Sequence, residues 1–183
     1  MLVASTAPAH ALTAPEFLIG SRTEDPDFAQ SIVLLLQSGA HGAMGLIVNV
    51  RTEVRVGELF PGLKTPAGAA PLYKGGPVRQ GVNGLVRSRV KLAGASAVFG
   101  DVYLIPEQSN LKQRLAEGAA SSTLRIYVGL CGWSAGQLGN EILAGVWRTA
   151  PPDASVIFDP HPETVWQRIT ARLKAKQVAR AIP

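Results

Sequence analysis

The chain opens with short apolar runs separated by turn-forming residues, a pattern that is typical of strands. Runs of this length are long enough for buried strands and too short for most helices. In the first half of the chain the predicted strands are residues 16–20 (EFLIG), 32–36 (IVLLL), 44–50 (MGLIVNV) and 71–74 (PLYK). The turn sequence SGAHG at 38–42 joins the second and third runs into a predicted hairpin. Residues 56–60, which are followed by Pro61-Gly62, are predicted to form a short helix.

Two glycine-containing segments near the middle of the chain predict further turns. Asn83-Gly84 stands between short apolar segments, and this dipeptide favours the tight turn of a β-hairpin because both residues tolerate positive φ. Residues 97–105 (AVFGDVYLI) are predicted to form one strand that bends at Gly100. The middle of the chain is therefore expected to be rich in hairpins.

Helical patterns enter in the second half. The predicted helices are residues 109–117, 134–143 and one beginning at Pro162, and the predicted strands between them are 124–130 and 147–149. Ser109 or Asn110 is placed to cap the first helix, and Ser134 the second. The third has apolar residues at helical spacing from Val165 to Leu173. Since helices and strands do not alternate strictly, the pattern predicts an α+β fold with a mostly antiparallel mixed sheet flanked by helices.

Length and composition predict a single compact domain. The chain has 183 residues, of which 46% are hydrophobic and 17% charged, so it is not a disordered chain. We expect the domain at residues 15–175, between a flexible leader at 1–14 and a basic tail at 176–183. No run of 18 apolar residues occurs, and the leader lacks the basic start of a secretory signal, so neither a membrane span nor secretion is expected. A single cysteine, Cys131, excludes an internal disulfide framework and favours the cytoplasm.

The net charge of +5 is unevenly distributed along the chain. Residues 61–100 contain six basic and no acidic residues, and residues 164–183 contain five basic and no acidic residues. The remaining segments, 1–60 and 101–163, each have a net charge of −3. Basic segments attract polyanions in a salt-dependent way, so weak non-specific binding of nucleic acid is one possible interaction. The interpretation that we favour for the tail is a solvated helix end.

One motif predicts nucleophilic chemistry. Gly132-Trp133-Ser134-Ala135-Gly136 matches G-x-S-x-G between a predicted strand and a predicted helix, and His161 follows as a base in the order of a hydrolase triad. The motif lies late in the chain, however, and the strands before it do not read as βαβ units. The ordinary interpretation of Ser134 is a helix cap, and a small serine hydrolase is retained as the alternative.

Other reactive residues favour structural interpretations. Cys131 has apolar neighbours at a strand end, which favours a buried, inert thiol. His41 has no partner at ligand spacing, and neither phosphate-binding glycine motif is present, so no metal, cofactor or catalytic residue is expected. The backbone of Gly75-Gly76-Pro77, with Arg79 nearby, is able to face an anion, although a turn explains the same glycines.

Several motifs together resemble the bacterial YqgE/AlgH family. They are residues 42–49 (GAMGLIVN), 75–78 (GGPV), 132–141 (GWSAGQLGNE) and Trp147. The resemblance covers about residues 16–170, and it implies a compact α+β cytosolic domain of a largely uncharacterised family that is labelled as transcriptional regulators. The family pattern calls for Trp133, Gly136 and Gln137 but not for a serine at position 134, and no catalytic residue is carried over. The candidate cleft or binding residues are Asn49, Gly75, Gly76, Pro77, Arg79, Trp133, Gln137 and Glu141.

Three functions follow as hypotheses. The first is a non-enzymatic cytosolic regulatory or binding module whose partner is a protein or, weakly, nucleic acid. The second is a regulator that binds DNA directly, for which no helix-turn-helix pattern is present. The third is the small serine hydrolase that uses the turn around Ser134.

Overall fold

The apolar runs of the sequence form the strands of one curled sheet. The computed structural model describes residues 14–21, 27–120 and 122–181. The strands in these residues are β1 (Glu16–Gly20), β2 (Ile32–Gly39), β3 (Gly42–Ile47), β4 (Arg51–Arg55), β5 (Pro71–Lys74), β6 (Val78–Arg87), β7 (Ser96–Phe99), β8 (Val102–Ile105), β9 (Leu124–Trp133) and β10 (Trp147–Ala150). The helices are α1 (Val56–Leu59), α2 (Gln108–Ala116), α3 (Gln137–Leu143), α4 (Ala154–Ile157) and α5 (Pro162–Ala181), with one 3₁₀ turn at Pro66–Ala69.

The sheet is antiparallel with one exception among the described strands. The order is β10-β1-β2-β3-β9-β6-β8-β7, and β4 and β5 join it at the side of β9. β5 runs parallel to β9, with Tyr73 opposite Tyr127 and Lys74 opposite Val128. The predicted α+β fold, with a mostly antiparallel mixed sheet flanked by helices in a single compact domain, is therefore confirmed.

β9 connects two parts of the sheet, because it pairs with both β6 and β3. β9 has ten residues; its first half pairs with β6, and its last three residues pair with β3. Gly129 separates the two halves with a φ of +80°. A Cβ there would lie 2.7 Å from the carbonyl oxygen of Gly76, so the close approach requires glycine. β9 carries Arg125 near its first residue and Trp133 at its last.

Alternation along the strands places apolar side chains on both faces of the sheet. Phe17 and Ile19 face the cluster that includes residues of α4 and α5, whereas Leu18 faces the cluster that includes Trp133 and residues of α3. A third cluster packs α1, α2 and the 3₁₀ turn against β6, β8 and β9. Helices therefore cover sheet surface that would otherwise expose these side chains.

The hairpin turn predicted at Asn83-Gly84 is wrong. Both residues lie inside β6, where Gly84 pairs with Ile105 of β8 and with Ile126 of β9. A Cβ on Gly84 would overlap the side chain of Leu111, so the glycine admits α2 close to the sheet. Pairing with two neighbouring strands outweighs the local turn preference of the dipeptide.

Other boundaries also differ from the prediction. The single strand predicted at 97–105 is a hairpin of β7 and β8, which reverses at Gly100 with a φ of +50°. The N-cap of α2 is Glu107, and the N-cap of α3 is Gly136 rather than Ser134. The predicted strands at 16–20 and 71–74 are confirmed, as are the β2–β3 hairpin and the start of α5 at Pro162.

Some predictions lie at or beyond the described residues. The predicted leader at 1–14 falls almost entirely outside them. α5 continues through the start of the predicted tail as far as Ala181. None of the helices in the described ranges is long and apolar enough to cross a membrane.

Candidate functional site

Three of the predicted cleft residues, Trp133, Gln137 and Glu141, meet Trp147 in a hydrogen-bonded cluster that we name the tryptophan clasp. Glu141 Oε2 accepts the indole N–H of Trp133 at 2.9 Å and that of Trp147 at 2.7 Å. Glu141 Oε1 accepts Gln137 Nε2 at 2.9 Å. The two indoles are 6% and 2% exposed, and their rings meet edge to face at 6.0 Å. One carboxylate on α3 therefore joins the end of β9 to the start of β10.

The serine of the G-x-S-x-G motif is part of the same network. Ser134 donates its backbone N–H and its hydroxyl to Gln137 Oε1, both at 3.0 Å. An amide oxygen is not a base, and a serine nucleophile requires one. His161, the base of the predicted triad, is exposed and has Nδ1 3.5 Å from a carboxylate oxygen of Glu163. The spacing of Ser134 and Gln137 thus serves the conformation of the turn before α3.

Cys131 occupies the interior, as its apolar neighbours predict. The side chain is fully buried, and its thiol lies 3.5 Å from the carbonyl oxygen of Gly75. Burial raises the pKa of the Cys131 thiol to about 12. The thiolate needed for nucleophilic chemistry is therefore almost absent at neutral pH.

The predicted glycine pair is required by packing. A Cβ on Gly75 would overlap the carbonyl of Gly129, and one on Gly76 would overlap the backbone of Leu130. The backbone N–H of Gly75 donates to Val128 at 2.7 Å, and its carbonyl accepts the N–H of Ile47 at 2.8 Å. These backbone groups are used within the sheet, which explains the glycines without an anion.

The remaining predicted site residues lie elsewhere. Asn49 is buried; its Oδ1 accepts the N–H of Ile32 at 2.8 Å, and its Nδ2 donates to the carbonyl of Gln30 at 3.0 Å. Asn49 and Trp133 line two different clefts. Pro77 and Arg79 are exposed, at the start of β6. The eight predicted residues therefore do not line one common cleft.

A cavity of about 350 Å³ lies beside the first half of β9. β5 pairs with β9 at Tyr127 and Val128, and the residues just before them, 124–126, line the cavity. We name it the Arg125 cavity. Its described lining is mostly apolar and consists of Arg51, Val56, Ala67, Ala70, Pro71, Tyr73, Leu115, Ala119, Ser122, Leu124, Arg125, Ile126, Phe158 and Pro160.

Arg125 is a buried charge in this lining, with only 4% of its surface exposed. Its Nη2 donates to the backbone carbonyl of Asp159. Nε and Nη1 are buried and form no hydrogen bond of normal geometry with the residues that the structure describes, and the same holds for the buried hydroxyl of Tyr127. This hydroxyl lies close to the guanidinium, because Arg125 opposes the rise that burial causes in the pKa of Tyr127. The guanidinium carbon lies 4.7 Å from the ring centroid of Tyr73 and 5.9 Å from that of Phe158. Because arginine stays protonated, this side chain carries its positive charge into the interior.

Asp159, whose backbone carbonyl accepts the hydrogen bond from Arg125, has its carboxylate bound to other groups. Its carboxylate accepts Arg168 at 2.5 Å and the backbone N–H of His161 at 2.8 Å. Burial opposes ionisation of this carboxyl, but the hydrogen bonds from Arg168 and His161 outweigh it and lower its pKa. No described residue forms an ion pair with Arg125.

A second cation stands at the edge of the Arg125 cavity. Arg51 is exposed on β4; its Nη2 donates to the carbonyl of Pro160 at 2.6 Å, and its Nε lies 3.4 Å from the hydroxyl of Tyr73. Sequence reasoning missed this site. The available signal was one arginine inside the apolar run LRIYVGL at 124–130.

The basic segment at 61–100 is partly neutralised. Lys74 forms an ion pair with Asp27 at 2.6 Å, and Arg87 forms one with Asp101 at 2.7 Å. The hydrogen bond from Arg87 lowers the pKa of Asp101. Both acids lie outside the segment, so its charge on the folded surface is lower than its composition suggests.

The fold and these contacts define a class: a single-domain α+β protein built on a curled, mostly antiparallel sheet with helices packed on it. Within this class, the order of the strands and the sequence G-W-x-x-G-Q in the turn before α3 are the features by which a family is recognised. The chain belongs to the AlgH-like protein family, whose model matches residues 17–177. The predicted family is therefore confirmed.

Relatives and solved structures agree with this assignment. A UPF0301 protein of Xylella fastidiosa (strain M23) is 31% identical over 154 residues, which cover 81% of this chain and 82% of the relative. A UPF0301 protein of Chromobacterium violaceum is 33% identical over 145 residues, which cover 76% and 78%. The solution structure of the AlgH protein from Pseudomonas aeruginosa is 30% identical with a TM-score of 0.70, covering 94% of this chain and 92% of that one. A crystal structure of a protein from Corynebacterium diphtheriae has the same fold with a TM-score of 0.70. It is 24% identical in sequence, and the match covers 86% of this chain and 85% of that one.

Proposed function

We propose that this protein is a non-enzymatic regulatory binding module of the cytoplasm and that its ligand occupies the Arg125 cavity. The observation that carries the proposal is the buried guanidinium at the cavity wall, with two nitrogens that have no described partner. An unpaired buried charge is costly, so proteins retain one where it has a task. Volumes from about 300 Å³ upwards are typical of small-molecule sites, and the cavity is within that range.

Binding is supported over catalysis by the roles of the two candidate nucleophiles. The hydroxyl of Ser134 donates to an amide oxygen, and Gln137 in turn donates to the carboxylate that holds both indoles. The Cys131 thiol is buried and protonated. Both side chains therefore have structural explanations that leave no group activated for attack.

The position of the cavity supports a regulatory role. Its lining includes β4 and β5 on one side and Phe158 and Pro160, which precede α5, on the other. A ligand that contacts both sides would hold the segment before α5 against β4 and β5. Such a ligand raises the stability of the folded chain in proportion to the logarithm of its concentration above its Kd.

The experiment for the non-enzymatic part uses the full chain and an activity-based fluorophosphonate probe. We expect the wild-type chain to be labelled no more than Ser134→Ala. Ser155→Ala, which removes a second exposed serine, is the matched control and should be labelled equally. Hydrolysis of p-nitrophenyl acetate by the wild-type chain should equal that of Ser134→Ala. Labelling or turnover that disappears only in Ser134→Ala would establish the serine hydrolase alternative and contradict the proposal.

A further inference from the structure

We infer that the Arg125 cavity binds the carboxylate of a small organic acid that has an apolar body. The inference rests on the proposed binding function and adds the chemical class of the ligand. It is carried by three features of the cavity: the unpaired guanidinium, the second arginine at the edge and the apolar remainder of the lining.

The charge of the lining selects an anion. Arg51 and Arg125 are cationic, and the described lining residues include no aspartate or glutamate. Asp159, which gives Arg125 its backbone carbonyl, has its carboxylate bound to Arg168 and to the N–H of His161. The hydroxyl of Tyr127 lies close to Arg125, but burial raises the pKa of this hydroxyl, so it stays neutral and does not balance the positive charge. An anion from outside the described chain would balance it.

The surroundings of the Arg125 guanidinium would make a hydrogen bond from Nε or Nη1 to an anion strong. Tyr73 and Phe158 stand against it, and the bond to Asp159 fixes one nitrogen. Nε and Nη1 are shielded from water, so a hydrogen bond to an anion there replaces no bond to solvent. Because both nitrogens are shielded, an anion in the cavity reaches them only if the guanidinium turns about its bond to the carbonyl of Asp159. Low dielectric surroundings then strengthen the attraction between the two charges.

The apolar lining selects the rest of the ligand. Val56, Leu115, Leu124 and Ile126 are apolar residues of the same lining. An inorganic ion would leave this surface uncovered, whereas an aryl or alkyl body would bury it at roughly 25 cal/mol per Å². A carboxylate with an aryl or short alkyl body combines both kinds of contact.

The test is calorimetric titration of the full chain with benzoate and hexanoate at low ionic strength. Acetate and inorganic phosphate supply the oxyanion without the apolar body, and benzamide supplies the body without the charge. We expect saturable binding of benzoate or hexanoate, at least about tenfold tighter than that of acetate, phosphate or benzamide. Equal binding of benzoate and benzamide, tighter binding of phosphate, or no binding of any probe would overturn the inference.

Variants connect the binding to Arg125. Arg125→Met should weaken benzoate binding by at least about 30-fold. The variant should also melt at or above the wild-type temperature, because an unpaired charge is replaced by an apolar side chain of similar length. Arg125→Lys keeps the charge without the guanidinium and should bind at an intermediate affinity. Arg89→Met, in an exposed loop away from the described lining, is the matched control and should bind as the wild type does.

The binding and labelling tests distinguish failure of the inference from failure of the non-enzymatic function. An Arg125→Met chain that melts well below the wild type while the wild type binds no acid would assign Arg125 a structural role and overturn the inference. That result would leave the fluorophosphonate test of Ser134 unaffected. Conversely, Ser134-dependent turnover would contradict the non-enzymatic function even if benzoate binds at Arg125.

Discussion

Replacing Glu141 by alanine should remove the centre of the tryptophan clasp. Glu141 Oε2 accepts two indole N–H groups from Trp133 and Trp147, both of which are buried. A hydrogen bond to a charged acceptor contributes about 1.5–3 kcal/mol, and both bonds are only partly shielded from water, so the lower end applies to each. The exposed bond to Gln137 adds little. Glu141→Ala should therefore lower the free energy of unfolding by about 3 kcal/mol.

Urea denaturation measures this loss, with far-ultraviolet circular dichroism as the signal because the clasp itself contains two of the three tryptophans. For a chain of this length, 3 kcal/mol corresponds to roughly 6–12 °C in Tm. Glu141→Gln keeps one acceptor oxygen and should cost about 1 kcal/mol. Glu117→Ala, an exposed residue at the end of α2, is the matched control and should cost less than about 0.5 kcal/mol. A Glu141→Ala chain within 1 kcal/mol of the wild type would refute the structural role of the clasp.

Four further predictions concern other parts of the molecule. At pH 8, Cys131 should react with iodoacetamide about 1000-fold more slowly than a free thiol, since burial raises its pKa from 9.0 to about 12. Mass spectrometry of timed samples gives the rate of this reaction. A rate within tenfold of that of glutathione would show that the thiol is not buried. Because folding raises this pKa, the contribution of the thiol to stability is complete below pH 9 and is lost between pH 9 and 12, and the Cys131→Ala chain should lose less stability over that interval in urea denaturation. Gly76→Ala should cost more than about 3 kcal/mol because its Cβ would overlap the backbone of β9, whereas Gly39→Ala, with nothing near its Cβ, should melt close to the wild type. A labelled random-sequence DNA duplex should dissociate between low and physiological salt, because Lys74 and Arg87 are already paired with acids; binding that persists in fluorescence anisotropy would instead support the direct DNA-binding alternative.

Strands that depend on the local pattern of apolar residues are predicted correctly from the sequence. The prediction fails where contacts with residues far away in the chain determine the conformation. The apolar run at 16–20 becomes β1 because its side chains are buried on both faces of the sheet. Asn83-Gly84 has the composition of a turn, yet strands on both sides pair with it and hold it extended. The need for glycine at position 84 arises from Leu111, a residue of α2 that no local pattern places there.

The site is predicted in part for the same reason. Gln137 and Glu141 are four residues apart on one helix, so their contact follows from helical geometry. The bond from Glu141 to Trp147 depends on where β10 begins, which the spacing alone does not determine. The Arg125 cavity combines segments from residue 51 to residue 160, and only the arginine inside an apolar run indicated it locally.

The Arg125 cavity is tested most directly by titrating benzoate into the wild-type chain and into Arg125→Met under the same conditions, together with the Tm of each. We predict saturable binding to the wild type, a loss of at least about 30-fold in Arg125→Met, and a Tm for the variant that equals or exceeds the wild-type value. Equal affinity in the two chains, or a variant that melts several degrees lower beside a wild type that binds nothing, would contradict it.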